Sequence, residues 1–393
     1  MNREIVMGLK SKSSIGKKTK NSLKHHRIVV KAGTNVLTGR SDCLDHQIIS
    51  SLSSQIANVM GVGAEVILVT SGAIAAGREI LVKPVKQGVI DRQVFAAVGQ
   101  GHLMSLYQKM FQERGITVAQ ALLTRHDVEN RQGYLNIRNT LTGLLEQSVL
   151  PVVNENDVVD TEEISQDRFG DNDALSSIVA SLIDADLLLL LTDSGGLYTS
   201  DPHRDSKANL IPKVENIDDS ILAMAEPIST ESAGKGGMLS KLYAAAKATS
   251  SGVPVIIASG HEEDVILKAA SGQAVGTFFE TTSNQIESKK RWLLSGLAET
   301  DGELVVDSGA VKALRTQNGS LLPAGISSVH GSFERGDVVA VLGENGDRIA
   351  CGIVSYSHRD LRLLCGMNSN DIAQKLGHHY GDAAIHRNNM VVL

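Results

Sequence analysis

Val149-Leu150-Pro151-Val152-Val153-Asn154-Glu155-Asn156-Asp157 decides the fold. An apolar run of strand length passes straight into short polar side chains. Continuous apolar runs of this kind suit a strand buried on both faces, as in a parallel sheet. Such sheets bind ligands beyond the carboxyl ends of their strands. Carboxylates and amides crowded there make a poor core. They are well suited to gripping a small molecule that carries both an ammonium and a carboxylate. A second cluster, Gly170-Asp171-Asn172-Asp173, opens a helical pattern shortly after.

The same grammar repeats on either side. Ile28-Val29-Val30, Val66 to Val69, Ile116-Thr117-Val118, Leu187 to Leu191 and Val255-Ile256-Ile257 read as strands. Helical patterns separate them: Asp45 to Met60, Asp91 to Arg114, Arg131 to Gln147, Asp173 to Ile183 and Met238 to Ser251. Strands alternating with helices predict an α/β fold with a mostly parallel central sheet, covered on both faces. Gly115 and Gly252 fall between a helix and the next strand, where a left-handed cap is wanted.

Composition sets the limits. A chain of 393 residues is too long for one compact core, so at least two domains are expected. No apolar run reaches the length of a membrane span; the longest, around Leu187–Leu191, is strand-sized. Cys43, Cys351 and Cys365 are scattered, with neither metal spacing nor a disulfide framework. That usage suits a cytoplasmic protein. Charge is uneven within the net −6. Residues 1–27 hold eight Lys/Arg against one acid, residues 28–291 hold 22 against 32, and residues 292–393 hold 8 against 11. The acidic body argues against a broad nucleic-acid surface. The basic leader, residues 1–27, lacks the apolar stretch of a secretory signal. Of a transit peptide and a disordered tail, the tail is the reading taken.

The strand ends carry the chemistry. The first strand runs into Lys31-Ala32-Gly33-Thr34-Asn35, and the second into Thr70-Ser71-Gly72-Ala73 and on to Gly77. The run at 187–191 leads into Thr192-Asp193-Ser194-Gly195-Gly196. Small residues let backbone N–H groups approach an anion, and helix N-termini add a favourable dipole. Any one such turn is an ordinary connection; two of them with a strand-end lysine describe a phosphate site. Two familiar nucleotide motifs are excluded. Gly234-Lys235-Gly236 lacks the Ser or Thr and the earlier glycine of a P-loop. No Gly-x-Gly-x-x-Gly turn follows the first strand.

These segments occur in a telling order: Val30-Lys31-Ala32-Gly33-Thr34, Thr70 to Gly77, Asn154 to Asp157, Gly170 to Asp173, Leu191-Thr192-Asp193 with Gly196-Leu197-Tyr198, and Gly236-Gly237-Met238 with Lys241. Over residues 28–291 the set resembles the amino-acid kinase family, whose fold is a three-layer α/β sandwich. Lysines and glycine turns of this kind are shared by members acting on acetylglutamate, aspartate or uridylate. The ordered pair of acidic–amide clusters is closer to the members that phosphorylate glutamate.

The resemblance implies transfer of a phosphoryl group from ATP, with Mg2+, to the side-chain carboxylate of L-glutamate. The product is L-glutamyl 5-phosphate, in the first step of proline biosynthesis. A different acceptor within the family is the alternative. Lys31, Lys241 and Asp173 would be catalytic. Ser71, Gly72, Ala73, Asp157 and Asn172 would bind the amino acid. ATP contacts would come from Lys31, Thr192, Asp193 and the segment Lys235, Gly236, Gly237, Met238, Leu239, Ser240 and Lys241. No dedicated protein metal site is expected, the ion being held mostly by phosphate oxygens. Proline as feedback inhibitor and assembly into a dimer or tetramer also come only with the resemblance. Two departures stand out: Lys235 occupies a position where many relatives have Thr, and Asn35 one where Ser is frequent.

The last hundred residues differ in character. Val338 to Leu342 and Arg348 to Val354 flank Glu344-Asn345-Gly346-Asp347, a strong hairpin signal. With Leu322 to Ile326, Val329, Phe333 and Gly336, the pattern resembles a PUA domain, a small β-rich barrel, over residues 292–393. PUA domains in RNA-modifying enzymes bind RNA. The excess of acids here, and few aromatics, favour an interdomain or regulatory role over RNA binding.

Overall fold

The computed structural model describes residues 23–81, 88–159, 172–202, 204–225, 237–282, 301–317 and 319–393. Its first part is built on an eight-stranded sheet of β1 (Arg27–Ala32), β2 (Glu65–Thr70), β3 (Val118–Leu123), β4 (Leu150–Glu155), β5 (Leu187–Thr192), β6 (Lys213–Val214), β7 (Val255–Ser259) and β8 (Thr277–Phe279). The spatial order is β3-β4-β2-β1-β5-β7-β8-β6. Strands β3 through β7 in that order are parallel. β8 runs antiparallel to β7 and pairs in parallel with β6. These two strands, of which β6 forms the edge, are too short for any periodicity to announce them.

Helices α1 (Thr34–Thr38), α2 (His46–Gly61), α3 (Ala73–Ile80), α4 (Val89–Gln112), α5 (Arg125–Glu129), α6 (Arg131–Glu146), α7 (Asn172–Leu182), α8 (Asp219–Ala223), α9 (Met238–Ser250) and α10 (Val265–Ala270) connect the strands. Alternation along β1 separates two cores. Ile28, Val30 and Ala32 pack with Leu52 and Ile56 of α2, Leu103 and Phe111 of α4, and Ile266 of α10. Val29 faces the other way, with Leu141 of α6, Val179 of α7 and Leu242 of α9. The result is the three-layer sandwich. The same parity puts Lys31 on the Val29 face, toward α7 and α9.

One strand begins later than the sequence suggests. A strand over Ile116–Val118 was expected, yet β3 starts at Val118. Gly115, at φ +73°, closes the end of α4. The Ile116 amide still donates to Phe111 O of that helix, at 3.0 Å, so it is not available to the sheet. At the other end β4 runs further than expected. Its ladder with β3 includes Leu122 opposite Asn154 and Leu123 opposite Glu155. The first two residues of the polar cluster therefore lie inside the strand, held at fixed register. Gly252, at φ +84°, takes the left-handed conformation expected of it.

Strand order reverses beside β1. The chain goes from β1 to β2 on one side and, after β4 and α7, to β5 on the other. The crevice at the carboxyl ends of β1 and β5 is the place where such a sheet receives its ligand.

A second, mixed sheet contains β9 (Glu303–Val306), β10 (Ile326–His330), β11 (Val338–Gly343), β12 (Arg348–Ile353) and β13 (Met390–Val392), ordered β10-β9-β11-β12-β13. The expected hairpin is β11–β12, with Gly346 at φ +83° in its turn. This unit meets the first part on α6. Leu135 packs with Val338, Cys351, Ile353 and Val391, and Arg335 Nη2 donates to Asn136 Oδ1 at 2.6 Å. The leader up to residue 22 and the expected division between residues 291 and 292 lie outside the described residues.

Candidate active site

Three elements bring the charged side chains together. Lys31 sits near the end of β1, in register with Val69 of β2 and Leu190 of β5. Asp173 is in the first turn of α7, and Lys241 in the first turn of α9. Lys31 Nζ lies 2.6 Å from Asp173 Oδ1, and Lys241 Nζ 3.1 Å from Asp173 Oδ2. Ser240 Oγ donates to the same Oδ2 at 2.7 Å. Asp173 is 0% exposed, Lys31 2% and Lys241 5%. A Cβ on Gly33 would stand 3.0 Å from Lys31 Nζ, so the turn after β1 closes over the ammonium.

Burial alone would push the Asp173 carboxyl up. The Lys31 charge, then Lys241, reverse this and hold it well below the usual carboxylate range. One carboxylate shared by two ammoniums leaves a surplus positive charge in a buried place. A transferring phosphoryl group, negative throughout its passage, is what such a surplus stabilises.

Beside this charged cluster lies a neutral one. Gly72, at φ +100°, makes the left-handed turn that starts α3, a conformation that favours glycine. Ser71 and the N-terminus of α3 are thereby set at the end of β2. Asn172 Nδ2 donates to Ser71 Oγ at 3.0 Å and to Asn154 Oδ1 at 3.2 Å. Asn154 Nδ2 in turn donates to Gln100 Oε1 of α4 at 2.8 Å. Ser71, Asn154 and Asn172 are all buried. Asp157 stands half-buried in the turn just after β4. The two acidic–amide clusters of the sequence are thus joined directly, through Asn154 and Asn172.

Thr192 ends β5 and is buried; Asp193 follows, half-buried. Thr192 Oγ1 donates to Asp193 Oδ1 at 3.2 Å, and Arg40 Nε donates to Asp193 Oδ2 at 2.9 Å. Burial raises the Asp193 carboxyl, but the Arg40 bond and charge carry it below its ordinary value. Gly237 precedes α9, and Met238 and Leu239 open its first turn ahead of Ser240 and Lys241. Lys235 and Gly236, like Gly170 and Asp171, lie outside the described residues.

Sequence reasoning missed Gln100 and Arg40. Gln100 looks like an ordinary polar position of a long helix. Arg40 follows a glycine in a surface turn and adopts φ +66°, which no pattern in the sequence signals. Among the described residues, no group of three or more His, Cys, Asp or Glu is placed to hold a metal ion. No helix among them is long and apolar enough to cross a membrane.

Comparison with known proteins agrees with this geometry. The model of the amino acid kinase family matches residues 26–259, and that of the PUA domain residues 302–376. The chain belongs to the amino acid kinase family. Its relatives include the glutamate 5-kinase of Dehalococcoides mccartyi strain CBDB1, 47% identical over 370 residues, 94% of this chain and 99% of that protein. The glutamate 5-kinase of Shewanella amazonensis is 48% identical, over 94% of this chain and 96% of that protein. The glutamate 5-kinase of Shewanella oneidensis is 46% identical, over 95% and 99%.

Proposed function

We propose that this chain transfers the γ-phosphoryl group of ATP to the side-chain carboxylate of L-glutamate, the entry step of proline biosynthesis. The observation that carries the reading is Asp173 held between Lys31 and Lys241, beside the Asn172–Ser71 and Asn172–Asn154 hydrogen bonds. A cationic pocket for a phosphoryl group adjoins a polar pocket for an amino acid. The identity of 47% and 48% to two glutamate 5-kinases, over 94% of this chain, supports the choice of acceptor.

A carboxylate with a pKa of roughly 4.3 is already ionised at neutral pH, so the acceptor needs no general base. A new bond forms between its oxygen and the γ-phosphorus. The bond to the β–γ bridging oxygen breaks, and ADP leaves with the electron pair. Lys31 and Lys241 neutralise the oxygens of the group in flight. Asp173 stays ionised and orients the two ammoniums; it takes no proton. Asp157 accepts from the α-ammonium, and Ser71 with the Gly72–Ala73 amides holds a carboxylate. Thr192, Asp193 and the segment 235–241 contact ATP. Asp173 and Asp193 are both committed to cations, which fits a Mg2+ ion carried by the phosphate oxygens rather than by a protein cage. The nucleotide-bound ion would offset phosphate charge.

The catalytic unit is placed at residues 28–291, the PUA-like unit at 292–393 and the leader at 1–27. The cytoplasm is the proposed compartment. Proline is the proposed feedback inhibitor and a dimer or tetramer the proposed assembly. The contact between the PUA-like unit and α6 supports an interdomain role over RNA binding. The test is glutamate-dependent ADP release with hydroxylamine trapping of the acyl phosphate. Hydroxamate should form with glutamate; hydroxamate with another acid instead would move the assignment to a different acceptor.

A further inference from the structure

The neutral half of the site holds more than the residues assigned to it. Its amides fix one another's orientation. The Glu155 backbone N–H donates at 2.9 Å to the side-chain oxygen of Asn154, so that oxygen is the acceptor. The Asn154 Nδ2 is then turned to Gln100, whose Oε1 must accept. Gln100 Nε2 is left buried with no hydrogen-bond partner. At the other end, Asn172 uses its Nδ2 on Ser71 and Asn154, and its Oδ1 is likewise buried without a partner. A buried donor or acceptor without a partner is costly and rare, and calls for an explanation.

Gln100 is brought there by its neighbour. A Cβ on Gly99 would lie 1.8 Å from Ala73 O and 2.2 Å from Gly77 N. Only a glycine lets the backbone of α4 approach so near to that of α3. The approach sets Gln100 beside the first turn of α3, where Ser71, Gly72 and Ala73 offer donors to an anion. One unmatched donor and one unmatched acceptor, linked through Asn154, suit a ligand that carries both an anion and a cation.

We infer that Gln100 is an acceptor-binding residue whose Nε2 donates to the α-carboxylate of the amino acid, while Asn172 Oδ1 accepts from its α-ammonium. This rests on the glutamate reading above. Gln100 then selects acceptors with a free α-carboxylate over those in which that group is an amide.

The experiment compares L-glutamate with its α-amide, which keeps the side-chain carboxylate and so the hydroxamate readout. Gln100→Glu retains an acceptor for Asn154 but replaces the donor with a negative charge. It should lower kcat/KM for glutamate about 10- to 100-fold, by loss of a charge-assisted bond and like-charge repulsion. The α-amide, which can donate to the new carboxylate, should fall much less. The glutamate-to-amide ratio should drop at least about tenfold, with KM for ATP within about twofold of the parent. Gln100→Ala, which deletes the donor and also the acceptor of Asn154 Nδ2, should still shift the ratio in the same direction and serves if the first variant does not fold. If both acceptors lose activity by the same factor in the folded variant, Gln100 merely supports Asn154 and the inference fails. No hydroxamate from the parent enzyme with either acceptor would overturn the glutamate reading itself, and this inference with it.

Discussion

The two halves of the site solve burial in opposite ways. Around Asp173 every charge has a partner within the protein: one buried carboxylate takes two buried ammoniums and a half-buried hydroxyl. Around Asn172 the groups are neutral and their hydrogen bonds incomplete, with Gln100 Nε2 and Asn172 Oδ1 unmatched. The difference follows from magnitude. An unpaired buried charge is penalised so heavily that it must be paired in advance, whereas an unmatched amide costs about 1–3 kcal/mol and can wait for its ligand. The charged half is thus preorganised for a transition state. The neutral half is specific because it is unfinished.

Breaking the charged half should give the largest effect. Asp173→Ala leaves two buried ammoniums facing each other. We expect loss of detectable turnover and about 3–5 kcal/mol of stability, read by denaturant unfolding. A variant as stable as the parent would show that Asp173 does not offset the lysine charges. The same pairing sets a pH signature. The folded Asp173 carboxyl lies below its unfolded value, so its contribution is present above the ordinary carboxylate range and is lost only as pH falls through the depressed value. Asp173→Asn should flatten that acid limb.

Removing one cation tests the division of labour. Lys241→Met or Lys31→Met should lower kcat by about 10²–10³-fold while leaving KM for glutamate nearly unchanged. A large rise in that KM would extend the role of the lysines into the neutral half. Asp157→Ala should do the reverse, raising KM for glutamate about tenfold or more and that for ATP little. Equal effects on both would make Asp157 structural.

The smallest effect is expected beneath the neutral half. Tyr107 OH and Thr70 Oγ1 lie 2.7 Å apart, one residue from Ser71. Burial pushes the Tyr107 hydroxyl up to about 12, with the Thr70 bond opposing. The folded protein thus keeps a proton that the unfolded chain releases near 10. Stability from this group is full below that pH and is lost as pH rises toward about 12. Stability of the parent should therefore fall faster than that of Tyr107→Phe in this window, by up to about 1.4 kcal/mol per pH unit.

The charged half was legible in the sequence because each member has a local signature. Lys31 ends a β-branched run, Asp173 starts a helical pattern, and Lys241 follows a Gly-Gly-Met turn. Strand parity and helix starts then place all three at the carboxyl ends of the central strands. The neutral half was only partly legible. Asn154 and Asn172 stand in polar clusters that draw the eye, but their direct contact depends on β4 continuing through Glu155. Gln100 had no local signature, since its place follows from a helix–helix crossing. The onset of β3 was missed because a helix cap holds the Ile116 amide, which hydropathy does not reveal.

That crossing of α3 and α4 has an evolutionary edge. A Cβ on Gly77 would stand 2.1 Å from Phe95 O, and one on Gly99 1.8 Å from Ala73 O. The obstacle at both is main chain, which no neighbouring substitution can trim away. Gly77 and Gly99 should therefore behave as fixed points in any library of variants, tolerating no replacement and no second-site rescue, although neither touches a substrate. The freedom to tune acceptor choice would be confined to the side chains these two glycines hold in place.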